Sequence, residues 1–104
     1  MIFKYSCMIN VGLYYKVKEG HEKDFEDKFN GVVDLLKSKD LGFIDGKLYK
    51  EVKCPREYMI YTVWKNKKFF EDFMKMEAYK NTVDYGKTVL DSVPRHKIFG
   101  ESTD

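Results

Sequence analysis

Cysteine, proline and arginine each occur only twice in these 104 residues. Cys7 and Cys54 stand apart, without the paired spacing of a metal ligand set, and isolated thiols of this kind are expected as reduced cysteines of a cytoplasmic protein. No apolar run approaches the roughly 20 residues of a membrane span, and the opening MIFKYSC is too short for a signal peptide. No membrane partner is therefore expected. The 19 basic and 17 acidic residues are scattered, leaving a net charge of +2. A nucleic-acid binder shows a basic run or stripe, so no nucleic acid is expected either. There is no GxGxxG or phosphate-loop spacing, no Ser-His-Asp set and no defensible pair of carboxylates. His96 has no Cys, Asp or Glu near it at ligand spacing, which excludes an evident metal site.

Large rings are what the chain has in quantity: Phe, Tyr and Trp make up 16% of it. Each buries about 150–250 Å², so a few contacts can carry much of the stability of one small domain. The chain is the size of a single domain, able to bury roughly 65% of its unfolded surface without staples. Met8 is an alternative start. On that reading residues 1–7 are an N-terminal extension, 8–100 the domain and 101–104 a polar tail.

Residues 8–17 alternate, with Ile9, Val11, Leu13, Tyr15 and Val17 on one face, as a strand requires. Glu22 and Asp24 place negative charge where a helix begins, and Phe25, Phe29, Val32, Val33 and Leu36 follow at helical spacing, predicting a helix over 21–38. Gly42 is a plausible left-handed cap. Residues 42–52 form a second strand, in which Gly46 suggests a bulge or a close backbone approach. Pro55 suits the second position of a tight turn, and 57–65 is a third strand, making a hairpin. Asn66 can cap the next helix. Phe69, Phe70, Phe73, Met74 and Met76 line its apolar side, and Tyr79, Val83, Gly86 and Leu90 continue the stripe. Periodicity leaves open whether 67–90 is one helix or two. Residues 94–99 are a fourth strand.

The order β-α-β-β-α-β predicts an α+β, ferredoxin-like fold, a four-stranded antiparallel sheet with its helices on one face. The third strand carries Tyr58, Ile60, Thr62 and Trp64 on one side and Met59, Tyr61 and Val63 on the other. A sheet with one wet face alternates apolar with polar, and this strand does not. The expected remedy is a homodimer, sheet face against sheet face about a two-fold axis.

In sequence order, VKEGHEKDFEDKF, GFIDGKLYK, YMIYTVWKNKKFFEDF and PRHKIF resemble the antibiotic biosynthesis monooxygenase (ABM) domain family, near its heme-degrading branch, over about residues 8–99. The resemblance implies a dimeric α/β barrel with a pocket between helices and sheet. It also implies a monooxygenase acting on a small aromatic or quinol-like hydrophobic substrate, of a kind that works without a bound cofactor. The heme-degrading members use an Asn, a Trp and a His, and the matching positions here hold Leu13, Phe73 and Val83. With valine in place of the usual iron ligand, no cofactor is expected. Leu13, Phe73 and Val83 would instead make a smooth apolar ligand pocket. Two alternatives stay open: a heme-binding or heme-degrading protein, and a non-catalytic dimeric binder of a small hydrophobic ligand. His96, Tyr61 and Trp64 are the candidate catalytic groups. Each has a plainer reading: His96 as a structural or surface residue, Trp64 as core or interface. His21, at a charged helix start, is read as solvent-facing.

Overall fold

The computed structural model describes residues 8–100. The elements are β1 (Ile9–Lys16), α1 (Glu22–Lys37), β2 (Phe43–Lys50), β3 (Glu57–Trp64), α2 (Lys67–Met74), α3 (Glu77–Val89) and β4 (Arg95–Gly100). They build one sheet in the order β2-β3-β1-β4, antiparallel throughout. This is the ferredoxin-like arrangement, with the second crossover made of two helices. The stretches 1–7 and 101–104, read from sequence as extension and tail, lie outside the described residues, as does Cys7. Cys54 is a free, exposed thiol.

Register carries the alternation across the sheet. Ile9 lies opposite Trp64, Val11 opposite Thr62, Leu13 opposite Ile60 and Tyr15 opposite Tyr58. One face of β1 thus meets one face of β3 under the helices. Ile9, Val11, Leu36, Trp64, Phe70 and Phe73 form one buried cluster; Val17, Phe25, Tyr58 and Val89 form a second. Trp64 is 1% exposed and stacks near Phe43, Phe70 and Phe73 at centroid distances of 5.3, 5.5 and 5.3 Å. Its Nε1 donates to Thr62 Oγ1 at 3.0 Å, so the one polar atom of the indole is satisfied. Hiding about 200 Å² of such a ring is worth up to about 5 kcal/mol against an extended reference chain.

Local signals explain most element ends. Asn66 Oδ1 accepts from Phe69 N at 3.1 Å and starts α2. Cys54 O accepts from Glu57 N at 2.9 Å, closing the turn that Pro55 opens. Two expectations shift. α1 ends at Ser38, whose Oγ donates to Leu35 O at 2.8 Å. Gly42, at φ +75°, instead turns the chain into β2 directly beneath the Phe69 ring. The bulge falls between Phe43 and Asp45 rather than at Gly46. Gly46 is nonetheless a close approach, since a Cβ there would stand 2.9 Å from Phe43 Cζ.

The second crossover breaks at residues 75–76. Met76 is extended (ψ 153°), and its carbonyl restarts the ladder by accepting from Tyr79 N and Lys80 N. A clasp then ties the end of α3 to the sheet: Arg56 Nη1 donates to Val17 O at 3.1 Å and to Asp91 Oδ2 at 2.9 Å. No helix among the described residues is long and apolar enough to cross a membrane.

Candidate ligand cleft

Two volumes lie between helices and sheet. The inner chamber has about 100 Å³ of free space. The sheet contributes Leu13, Tyr15, Ile60 and Trp64 to its wall, α1 adds Phe25, Phe29 and Val32, and α2 adds Phe70 and Phe73. Tyr79, Thr82 and Tyr85 of α3 complete it. The outer cleft, about 480 Å³, runs between α3, residues 91–94 and β4, and includes Val83, Lys87, Arg95 and His96. Leu13, Tyr15, Tyr79, Thr82, Gly86 and Leu90 line both volumes, so the chamber and the cleft meet along them. The larger volume lies within the range usual for small-molecule sites, and the walls are mostly carbon, as such sites require.

Of the three residues expected in the pocket, Leu13 lines both compartments. Phe73, 8% exposed, belongs to the chamber, packed between Trp64 and Tyr79 with both centroids at 5.3 Å. Val83, 41% exposed, belongs to the outer cleft. The three residues therefore mark two connected spaces. His96 lies opposite Leu13 in the β1–β4 register and lines the outer cleft, with its ring 6.4 Å from Phe70. Trp64 is chamber wall. Tyr61 points the other way: it pairs with Gly12 and Lys47 on the sheet face away from the helices, and is not brought together with His96 or Trp64.

Three tyrosines at the site escape the sequence reading as functional groups. Burial pushes the Tyr15 phenol well above its ordinary value, and the Tyr79 phenol beside it adds to the rise. Burial, then Asp24 and Asp27, raise Tyr85. Groups shifted this way stay protonated near neutrality and can donate hydrogen bonds. Tyr15 was visible as the neighbour of Leu13 on one strand face. Tyr85 was hidden because the stripe read from sequence, Tyr79, Val83, Gly86 and Leu90, runs beside it; three of those four do line the chamber. Tyr79, Val83, Gly86 and Leu90 share a spacing with Ala78, Thr82, Tyr85 and Val89, and only the second set is free of exposed residues.

A separate polar group sits outside the chamber. Tyr58 Oη donates to Glu26 Oε2 at 2.6 Å, and Lys50 Nζ is 3.0 Å from the same oxygen. Burial and this bond push Tyr58 up to about 12, while the Tyr58 bond and then Lys50 hold Glu26 below its ordinary value. All three groups are satisfied by one another, and they fasten α1 to β2 and β3.

Comparison with known proteins places these features. The protein from Natronomonas pharaonis named "Putative heme-binding protein" is 31% identical over 86 residues, covering 83% of this chain. The chain spans only 14% of that relative's length, and three further curated relatives carry the same name. Among solved structures, a conserved protein from Methanosarcina mazei superposes with TM-score 0.86 at 18% identity, over 98% of this chain and all of that one. SnoaB, a cofactor-independent oxygenase from Streptomyces nogalater, superposes with TM-score 0.79 at 15% identity, over 93% of this chain and 95% of that one. Identities this low speak for the fold alone.

One expectation is corrected. The absence of a cofactor rested on valine at position 83, and the relatives named for heme overturn it. Valine at position 83 also does not leave the cleft without an imidazole, since His96 of β4 lines the same space. The sequence profile described as "Antibiotic biosynthesis monooxygenase" matches residues 8–85, and the chain belongs to that family.

Proposed function

We propose that the outer cleft binds a flat, largely apolar molecule of the heme class, with His96 as the group that meets the iron. The observation carrying this reading is an imidazole on the wall of an apolar space of about 480 Å³. The residues fit such a guest. Leu13 and Val83 offer carbon to its faces, imidazole is a common iron ligand, and Lys87 and Arg95 at the rim suit its carboxylates. Bound heme supplies a redox-active iron. The chain's own work is to bind and orient the ring and to exclude water from its buried edge.

Titration with hemin tests this. The native chain should give a shifted Soret band, and His96→Ala should weaken binding at least about tenfold through loss of the ligand. A spectrum indistinguishable from free hemin would end the proposal.

Oxygenation of a small aromatic or quinol-like substrate in the same cleft is a second reading. The family description and the phenol of Tyr15, kept protonated by burial, favour it, since a donor held in a dry site can stabilise an oxyanion. An oxygen electrode with a panel of reduced quinols tests it, and a flat trace across the panel would count against it.

The working unit in either case is a cytoplasmic homodimer joined through the outer sheet face. Met59, Tyr61 and Val63 lie on that face beside the exposed rings of Tyr14, Tyr49 and Phe99. A single copy by sedimentation at micromolar concentration would refute the pairing.

A further inference from the structure

The inner chamber is too small for the guest of the cleft and poor in free polar atoms that could hold water. Its 100 Å³ is below the roughly 150 Å³ of an engineered carbon-lined cavity that stays dry and takes benzene or xenon. A fused-ring guest does not fit inside it, whereas a diatomic molecule does. Carbon makes most of the wall, from Leu13, Phe29, Val33, Ile60, Phe70 and Phe73. The polar groups within it are occupied or out of reach. Thr62 Oγ1 donates to Val11 O and accepts from Trp64 Nε1, and Thr82 Oγ1 donates to Ala78 O. Tyr85 Oη is sealed off within the wall. Tyr15 and Tyr79 line the cleft as well as the chamber. Lys28 also lines a groove of about 380 Å³ between α1 and α3, with its Nζ 5.5 Å from the centroid of the Tyr85 ring. These three side chains thus stand where the chamber meets its neighbours. A water settles in such a space only where several polar partners converge on it.

We propose that the chamber is a docking site for a small apolar gas of the dioxygen class, beside the cleft that takes the larger guest. An apolar diatomic gives up little hydration on entering a carbon-lined space, and it gains contacts with walls that water leaves unfilled. Leu13, Tyr15, Tyr79 and Leu90 line both volumes, so a molecule held in the chamber lies against the inner side of the cleft. Dioxygen is the co-reactant that oxygenation in the cleft needs. That use rests on the oxygenation reading; occupancy of the chamber does not.

The native chain in solution under xenon, then under dioxygen, tests this with methyl resonances as the readout. Xenon pressure should shift the methyls of Leu13, Val33 and Ile60 and the indole N–H of Trp64 in a saturable way. Val52, 93% exposed, should respond only linearly. Dioxygen is paramagnetic and should speed relaxation of the same chamber methyls more than that of Val52. Ile60→Phe adds bulk to a wall that the cleft does not share, and should lose the saturable xenon shifts while keeping its hemin-induced Soret band. Where overpacking prevents that variant from folding, Val33→Ile, which adds a single methylene, takes its place and should weaken the shifts. Linear xenon shifts at the chamber methyls, or dioxygen relaxation there no faster than at Val52, would overturn the gas site and leave the hemin reading of the cleft standing. Saturable shifts unchanged in a folded Ile60→Phe would put the gas elsewhere and likewise overturn it. A missing Soret shift beside a saturable xenon response would do the reverse, ending the hemin reading and keeping the gas site.

Discussion

Under α1 the inner face of β2 and β3 is closed by Phe25, Leu36 and Trp64, which are 7%, 4% and 1% exposed. Beside β4 the packing is open: all six of its residues are exposed, and α3 leaves a cleft of about 480 Å³ next to them. One half spends its rings on stability, and the other keeps surface in reserve for a guest. The polar groups follow the same division. Tyr58, in the closed half, is paired with Glu26, whereas Tyr85, on the helix that borders the open half, has no partner among the described residues.

The largest effect that would test this division is at Trp64. Trp64→Ala should destabilise the protein by about 3–5 kcal/mol, as large-to-small changes in a packed core do. Denaturant unfolding would measure it. A loss below about 1 kcal/mol would mean that the closed half is not closed in solution.

Tyr58→Phe comes next. It removes the bond to Glu26 and should cost about 1–2 kcal/mol at neutral pH, somewhat under the full worth of a hydrogen bond to a charge because the carboxylate is partly exposed. The pH dependence has a definite sign. Glu26 has a folded pKa below its unfolded one, so its contribution is full above the ordinary carboxylate value and is lost as pH falls through the depressed value. The gap between native and variant melting temperatures should therefore narrow in acid. A gap independent of pH would separate Tyr58 from Glu26.

How far these halves could be read from sequence follows the same boundary. The strands were legible because β1 alternates without interruption from Ile9 to Tyr15, and the hairpin because Pro55 sits in a short turn. α1 was legible from its acidic first turn and the spacing from Phe25 to Leu36. The break at residues 75–76 was not, since apolar residues continue through Phe73, Met76 and Tyr79 with neither Gly nor Pro between them. The inward face of α3 was read too narrowly, because two adjacent stripes share the same spacing and both reach the chamber, Tyr79, Gly86 and Leu90 from one and Thr82 and Tyr85 from the other. Val83 looked as apolar as Val89 but is exposed. The openness beside β4 depends on how α3 sits over the sheet, which no local pattern encodes.

Asn66→Ala should cost about 1 kcal/mol, the usual worth of a side-chain cap, by freeing Phe69 N at the start of α2. Asn66→Asp should restore most of it, because a carboxylate accepts the same bond and suits the helix N-terminus. Thermal melts of the pair would check this, and a cap-independent melting temperature would show α2 held by the Phe70 and Phe73 rings alone.

The smallest expected change in stability is at His96, where the two halves separate most cleanly. Its imidazole is exposed, and its ring meets that of Phe70 edge-on at 6.4 Å. His96→Ala should therefore leave the unfolding free energy within about 0.5 kcal/mol of the native value. If the same protein also loses its hemin-induced Soret shift, the side chain serves the guest and not the fold. A destabilisation comparable to that of Asn66→Ala would instead return His96 to the packing of the sheet and remove the imidazole from the proposed site.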